Sequence, residues 1–119
     1  MAPRPYRPLA ELEAALVRGD LDFAVILAAE VADERRRPID LDLALRFLPL
    51  IAARRSSEYD AWALRWLQRW IGEAGAATIE RAAEVAASLA DLPAEPATAV
   101  ASLRGSAGVT PVLPRRRGG

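Results

Sequence analysis

Catalysis near neutral pH would fall to carboxylates in this chain, because its sequence contains no histidine, cysteine or lysine. Without cysteine there is no disulfide, no thiolate nucleophile and no sulfur-ligated metal site. Without histidine the commonest general base, transition-metal ligand and pH switch is missing. The lack of lysine removes Schiff-base chemistry and the lysine of a phosphate-binding loop. No serine stands in a Gly-x-Ser-x-Gly turn.

Two acid pairs, Asp20/Asp22 and Asp40/Asp42, have the outward form of a metal-binding Asp-x-Asp. Residues two apart on a helix point about 200° apart, so neither pair converges on one ion. Both pairs stand where helices are expected to start, and capping together with the positive end of the helix dipole accounts for them. Glu30, Asp33 and Glu34 share a helix side, but Arg37 follows Asp33 by four, which makes that side an ion-pair face. No cofactor and no metal site is expected, and the chain is not expected to be an enzyme.

The residues best suited to binding are aromatic. Tyr59, Trp62, Trp66 and Trp70 recur at spacings of three and four, and Ala63, Leu67 and Ile71 widen them into an apolar arc on one helix. Most of that arc is expected to be core, since three tryptophans supply a large buried area in an alanine-rich chain. Trp62 lies at the edge of the arc beside Arg65 and Arg69, where cation–π contact can form. An edge tryptophan flanked by arginines has the composition of a protein-binding hot spot. Trp62, Arg65 and Arg69 are therefore the expected partner-binding residues, and full burial of Trp62 would remove the expectation.

Helices have to position these side chains. The 119 residues are 52% apolar, 27% charged and 6% aromatic, which fits one globular domain. All sixteen basic residues are arginine, balanced by sixteen acids, and asparagine is absent too; a GC-rich bacterial genome produces such a skew. Strand signals are essentially lacking, and proline and glycine divide the chain into six expected helices. The first covers residues 8–18 and stops at Gly19; the second starts at the cap Asp20 and ends with Arg35, Arg36 and Arg37 before Pro38. The third starts at Asp40, with a kink or break expected near 45–49, where Pro49 removes a hydrogen bond and crowds the Leu45 carbonyl. The last three cover about 58–74, 77–90 and 96–104. The expected fold is all-α, six helices as stacked antiparallel hairpins or an irregular bundle, in a single domain over 8–104. Residues 1–7 are expected to be a flexible segment and 105–119 a disordered tail rich in proline, arginine and glycine.

The apolar faces follow from 100° per residue. The first helix offers Leu9, Leu12, Leu16 and Val17, and the fifth Ile79, Ala82, Ala83, Ala86 and Leu89. The second has Leu21, Ala24, Val25, Ala28, Val31 and Ala32 on one side, with Phe23 and Leu27 nearly opposite. On the third, Leu41, Ala44, Leu45, Leu48, Ile51 and Ala52 oppose Leu43, Phe47 and Leu50, leaving Asp42 and Arg46 as a narrow polar strip. Helices apolar on two sides need cover on two sides, so the second and third are expected to be central. Surplus apolar surface also suits a homodimer with an isologous patch on the third or fourth helix.

Hairpins starting near residues 8, 40 and 77 give steps of about 32 and 37 residues, and this spacing resembles tetratricopeptide and HEAT-type repeats over about residues 8 to 104. With Pro38 aligned to the closing proline of the tetratricopeptide motif, Ile26 and Asp33 stand where that motif has small alanines. The resemblance implies a stack of helical hairpins.

Charge argues against nucleic acid as the first choice. Residues 1–55 carry nine arginines and nine acids, residues 56–104 four and seven, and the tail three arginines, whereas a nucleic-acid binder shows a strongly basic face. No stretch reaches the roughly 20 apolar residues of a membrane span, and the opening residues are not a secretory signal, so a cytoplasmic location is expected. In the tail, Pro111-Val112-Leu113-Pro114 followed by Arg115 and Arg116 fits an extended PxxP-type ligand. Arg117-Gly118-Gly119 looks like the di-glycine ends of ubiquitin-like and sulfur-carrier proteins, whose β-grasp fold this helical sequence departs from. The function expected is a non-catalytic protein–protein interaction module: an adaptor, scaffold element or regulatory subunit. The alternative is a nucleic-acid-binding or transcription-associated helical protein.

Overall fold

The computed structural model describes residues 7–75 and 77–108, and among them the fold is all-α. The helices are α1 (Pro8–Arg18), α2 (Leu21–Arg35), α3 (Leu41–Arg54), α4 (Tyr59–Ala74), α5 (Ile79–Asp91) and α6 (Pro96–Ser106), with a 3-10 turn, Ser56–Glu58, leading into α4. Their contacts gather into two units that divide between Asp40 and Leu41. Helix α6 runs two residues past the expected boundary at 104. The expectations for residues 1–6 and 109–119, including the PxxP and di-glycine readings, lie outside the described residues.

In the first unit α1 packs on α2 as a helical hairpin. Pro8 opens α1, where its missing N–H costs nothing. Gly19 closes it in the left-handed region at φ 74°; its N–H reaches the Leu16 carbonyl at 3.1 Å and the Asp20 N–H reaches the Ala15 carbonyl at 2.9 Å. That pair of bonds is a Schellman motif, which satisfies the last carbonyls of a helix. Asp20 then caps α2, its carboxylate accepting from the Phe23 N–H at 3.3 Å. Two residues thus end one helix and begin the next. The far end of α2 repeats the device: Arg36 sits at φ 56°, its N–H bonds Asp33 at 3.3 Å, and the Arg37 N–H bonds Ala32 at 3.1 Å.

The buried seam of this unit is Leu12, Ala15 and Leu16 against Leu21, Ala24, Leu27 and Val31. Two expectations fail here. Val17 is exposed and Ala15 takes its place, because the 12–15–16 row is narrower than the 9–12–16–17 face. Leu27 is buried with the residues it was expected to oppose, since steps of three from Leu21 to Ala24 to Leu27 drift only about 60° per step. Phe23 and Ile26 remain exposed. Helix α2 is apolar on two sides but covered on one.

In the second unit α3 does bury both sides: Leu43 and Phe47 as well as Leu45, Leu48 and Ile51. Of the kink or break expected near 45–49, the break does not occur, for α3 continues through Pro49 to Arg54. A proline in a helix interior costs about 3 kcal/mol. Full burial of a large apolar side chain returns about 1.5–3 kcal/mol, and three of them, Phe47, Leu48 and Ile51, flank the proline. Packing wins. In the polar strip Asp42 is only 4% exposed and is held by Arg104 of α6, which donates from Nε at 3.2 Å and Nη2 at 3.1 Å to one carboxylate oxygen. Removing either partner of such a pair leaves a buried or half-buried charge unmatched, at a cost of about 3–5 kcal/mol when the site is fully enclosed.

Helix α4 packs on α3 and on α5, and α5 packs on α6. Thr78 starts α5 by accepting the Arg81 N–H at 3.1 Å. The expected inner face of α5 is corrected: Val85 and Leu89, with Leu92 just beyond the helix, are buried, whereas Ile79 and Ala83 are exposed. Valine and leucine return more on burial than the alanine row beside them, so the helix turns its bulkier row inward.

Candidate functional site

Helix α4 carries the aromatic residues, and its inner face is built as core. Tyr59, Ala63, Trp66 and Trp70 follow one another at steps of four, three and four, and all are buried. Each polar tip has a partner. The Trp66 Nε1–H donates to the Leu41 carbonyl at the start of α3 at 3.0 Å. The Trp70 Nε1–H donates to the Ala107 carbonyl at the end of α6 at 2.8 Å. The Tyr59 hydroxyl donates to the Leu89 carbonyl of α5. One helix face thereby fixes three other helices. Burial pushes the Tyr59 phenol up to about 12, and the charge of neighbouring Asp60 adds to the effect.

The edge of α4 toward α3 holds the expected binding residues. Trp62 is half-buried and stacks on Phe47, with ring centroids 6.0 Å apart and planes 13° from parallel. The Arg65 guanidinium lies 5.4 Å from the centroid of the Trp62 ring, within cation–π range. Arg69 is engaged elsewhere: its Nε and Nη2 both donate to Glu73, one turn on, at 3.0 Å. Two of the three expected residues, Trp62 and Arg65, therefore meet, and the third spends its charge on Glu73. Phe47 and Glu73 were missed. Glu73 was within reach of the four-residue pairing rule; Phe47 was not, because its place against Trp62 depends on how α3 packs.

The other edge of α4 holds a groove that the sequence did not announce. It has a volume of about 270 Å³, with walls from Asp60, Leu64 and Leu67 on α4 and Ala86 and Ala90 on α5, over Tyr59, Ala63 and Leu89. Leu64 is 64% exposed, and elsewhere on the same two helices Ile71 and Ile79 are 47% and 88% exposed. Leu67 and Ile71 were expected in the core arc; Leu67 lines this groove instead, and Ile71 is exposed. Small-molecule sites occupy about 300–1,000 Å³ and enclose their ligand, so this groove is sized for one or two apolar side chains.

The acids find structural employment. Asp20 is a cap and Asp42 belongs to the Arg104 pair. Among the described residues no group of three acids gathers as a metal cluster, and no helix is long and apolar enough to cross a membrane. Arg35, Arg36 and Arg37 are exposed at the end of α2, where Arg36 closes the helix. Comparison with protein-family models, with curated proteins and with solved structures finds no match.

Proposed function

We propose that this chain is a non-catalytic protein–protein interaction module, an adaptor, scaffold element or regulatory subunit, binding through the outer side of the α4–α5 hairpin. The observation that carries the proposal is the apolar groove between α4 and α5, with Leu64 in its wall 64% exposed. Single exposed apolar residues are ordinary on a soluble protein. Three large ones on two adjacent helices, one of them in the wall of an apolar groove, have the layout of a docking surface. The residue types support the same reading, since the groove offers one carboxylate, Asp60, and one high-pKa phenol, Tyr59, with no second acid or base to share a proton transfer. The Trp62–Arg65 stack on the opposite edge of α4 supplies a rigid aromatic anchor of the hot-spot kind.

A photoreactive amino acid placed at position 64 in the full-length protein, expressed in its native host, tests this. A discrete covalent adduct from position 64, absent when the same probe occupies position 34 on α2, is the expected outcome. Lack of any adduct from positions 64, 65 and 71 overturns the proposal. An adduct from 65 alone moves the binding surface to the Trp62 edge and overturns the groove.

A further inference from the structure

The groove has a charge as well as a shape, and the charge selects its occupant. Asp60 stands in the wall on α4, and no arginine lines the groove. On α5, Glu80, Glu84 and Asp91 are all exposed. At 100° per residue they stand about 100° around α5 from the alanine row of Ala83, Ala86 and Ala90, on its outward side. The arginines of the two helices face other ways. Arg65 covers Trp62, Arg69 is paired with Glu73, and Arg81, three residues before Glu84, lies about 170° around α5 from the alanine row. Residues 56–104 carry four arginines against seven acids. An apolar trough with a carboxylate in one wall and an acidic row beyond the other is complementary to an apolar ridge flanked by cations.

We propose, building on the interaction-module reading, that the α4–α5 groove receives a basic amphipathic helix of a partner protein. Two apolar side chains of that helix, one turn apart, enter between Leu64 and Ala86–Ala90, and its flanking arginines or lysines meet Asp60 on one side and the Glu80–Asp91 row on the other. The alanines of α5 let a second backbone approach closely, and the exposed leucine gives the contact its apolar area. This is the helix-in-groove mode, in which the anchors of the bound helix repeat at three and four.

Two synthetic helical peptides of equal length and identical leucine spacing test the proposal by fluorescence anisotropy against the full-length protein. One carries arginines beside the leucines and the other glutamates. The expected result is binding of the arginine peptide about tenfold tighter than the glutamate peptide, a difference that shrinks as salt is added. Leu64→Glu is expected to abolish binding, and the double variant Asp60→Arg, Glu84→Arg to reverse the preference; these residues are exposed, so the variants are expected to fold, which circular dichroism checks. Equal binding of both peptides, or binding untouched by Leu64→Glu, overturns the proposal. If neither peptide binds while position 64 still gives a cellular adduct, the basic-helix assignment falls and the interaction-module reading stands. Concentration-dependent dimerisation in sedimentation, lost in Leu64→Glu, gives the groove to a second copy and overturns the assignment. A full-length variant with Arg115, Arg116 and Arg117 changed to serine that binds the arginine peptide about tenfold tighter gives it to the chain's own end, with the same consequence.

Discussion

At Tyr59 a buried phenol is held protonated by its surroundings, burial first and the Asp60 charge second, so that its pKa rises from 10.0 to about 12. The unfolded chain releases that proton near the ordinary value while the fold retains it. Below pH 10 both states are protonated, and the stabilisation is fully present. Between pH 10 and 12 the unfolded state binds fewer protons than the native state, so stability falls as pH rises, by about 2–3 kcal/mol at the upper end. Tyr59→Phe is expected to flatten that slope, at the cost of about 1 kcal/mol at neutral pH for the lost bond to Leu89. Urea unfolding of both proteins at steps from pH 9 to 12 checks this, and parallel slopes would count against it. Asp42 marks the limit of what single residues announce. Its spacing to Arg46 marks a narrow polar strip along one helix, and its carboxylate is buried against Arg104, sixty-two positions away. A pairing four residues apart is written in local sequence; one that joins α3 to α6 depends on the packing of both helices.

The same division holds for whole helices. Their starts and stops were legible because local chemistry decides them: proline at the first turn of α1, Asp20 at the cap of α2, glycine after α1. Which row of a helix turns inward was not, because that choice compares the burial of alternative rows against neighbours the sequence does not identify. Hence Leu27 and Val85 are buried where other residues were expected, and Leu64 was overlooked altogether. Pro49 makes the point from the other direction, since a local rule asks for a kink or break and the flanking buried side chains carry the helix through without a break. The matched ends of α1 and α2 allow a clean prediction. Both close in the left-handed region with the same two hydrogen bonds, one on Gly19 and the other on Arg36. A residue with a Cβ pays about 1 kcal/mol there that glycine does not. Arg36→Gly is therefore expected to stabilise the protein by about 0.5–1 kcal/mol, part of the gain being offset by the loss of a cation near the negative end of α2. Gly19→Ala is expected to destabilise it by a similar amount. Thermal unfolding of the two variants measures both signs, and a destabilised Arg36→Gly would show that the arginine side chain does more than close the helix.

Over the whole molecule the aromatic capital is unevenly distributed, and this decides what can be read from fluorescence. All three tryptophans lie on α4, and Leu41, Phe47, Arg65 and Ala107 are the hydrogen-bond, stacking and cation–π partners of their rings among the described residues. Every one of these belongs to the unit that begins at Leu41. Burying an indole removes about 150–250 Å² from water, which at about 25 cal/mol per Å² stabilises by about 4–6 kcal/mol per ring as an upper bound. Trp66 and Trp70 both have this burial, and Trp62 has part of it. Their indole N–H bonds and the Asp42–Arg104 pair are likewise internal to residues 41–108. A chain reduced to 41–108 is therefore expected to fold with the tryptophan emission maximum of the full-length protein, because no described partner of an indole has been removed. It is also expected to keep the α4–α5 groove, whose walls and floor lie wholly within it. Emission spectra with and without denaturant test the first expectation, and arginine-peptide binding tests the second. A red-shifted fragment that fails to bind would mean that the tryptophan helix depends on residues before Leu41, and would assign part of the stability of the groove to the first hairpin.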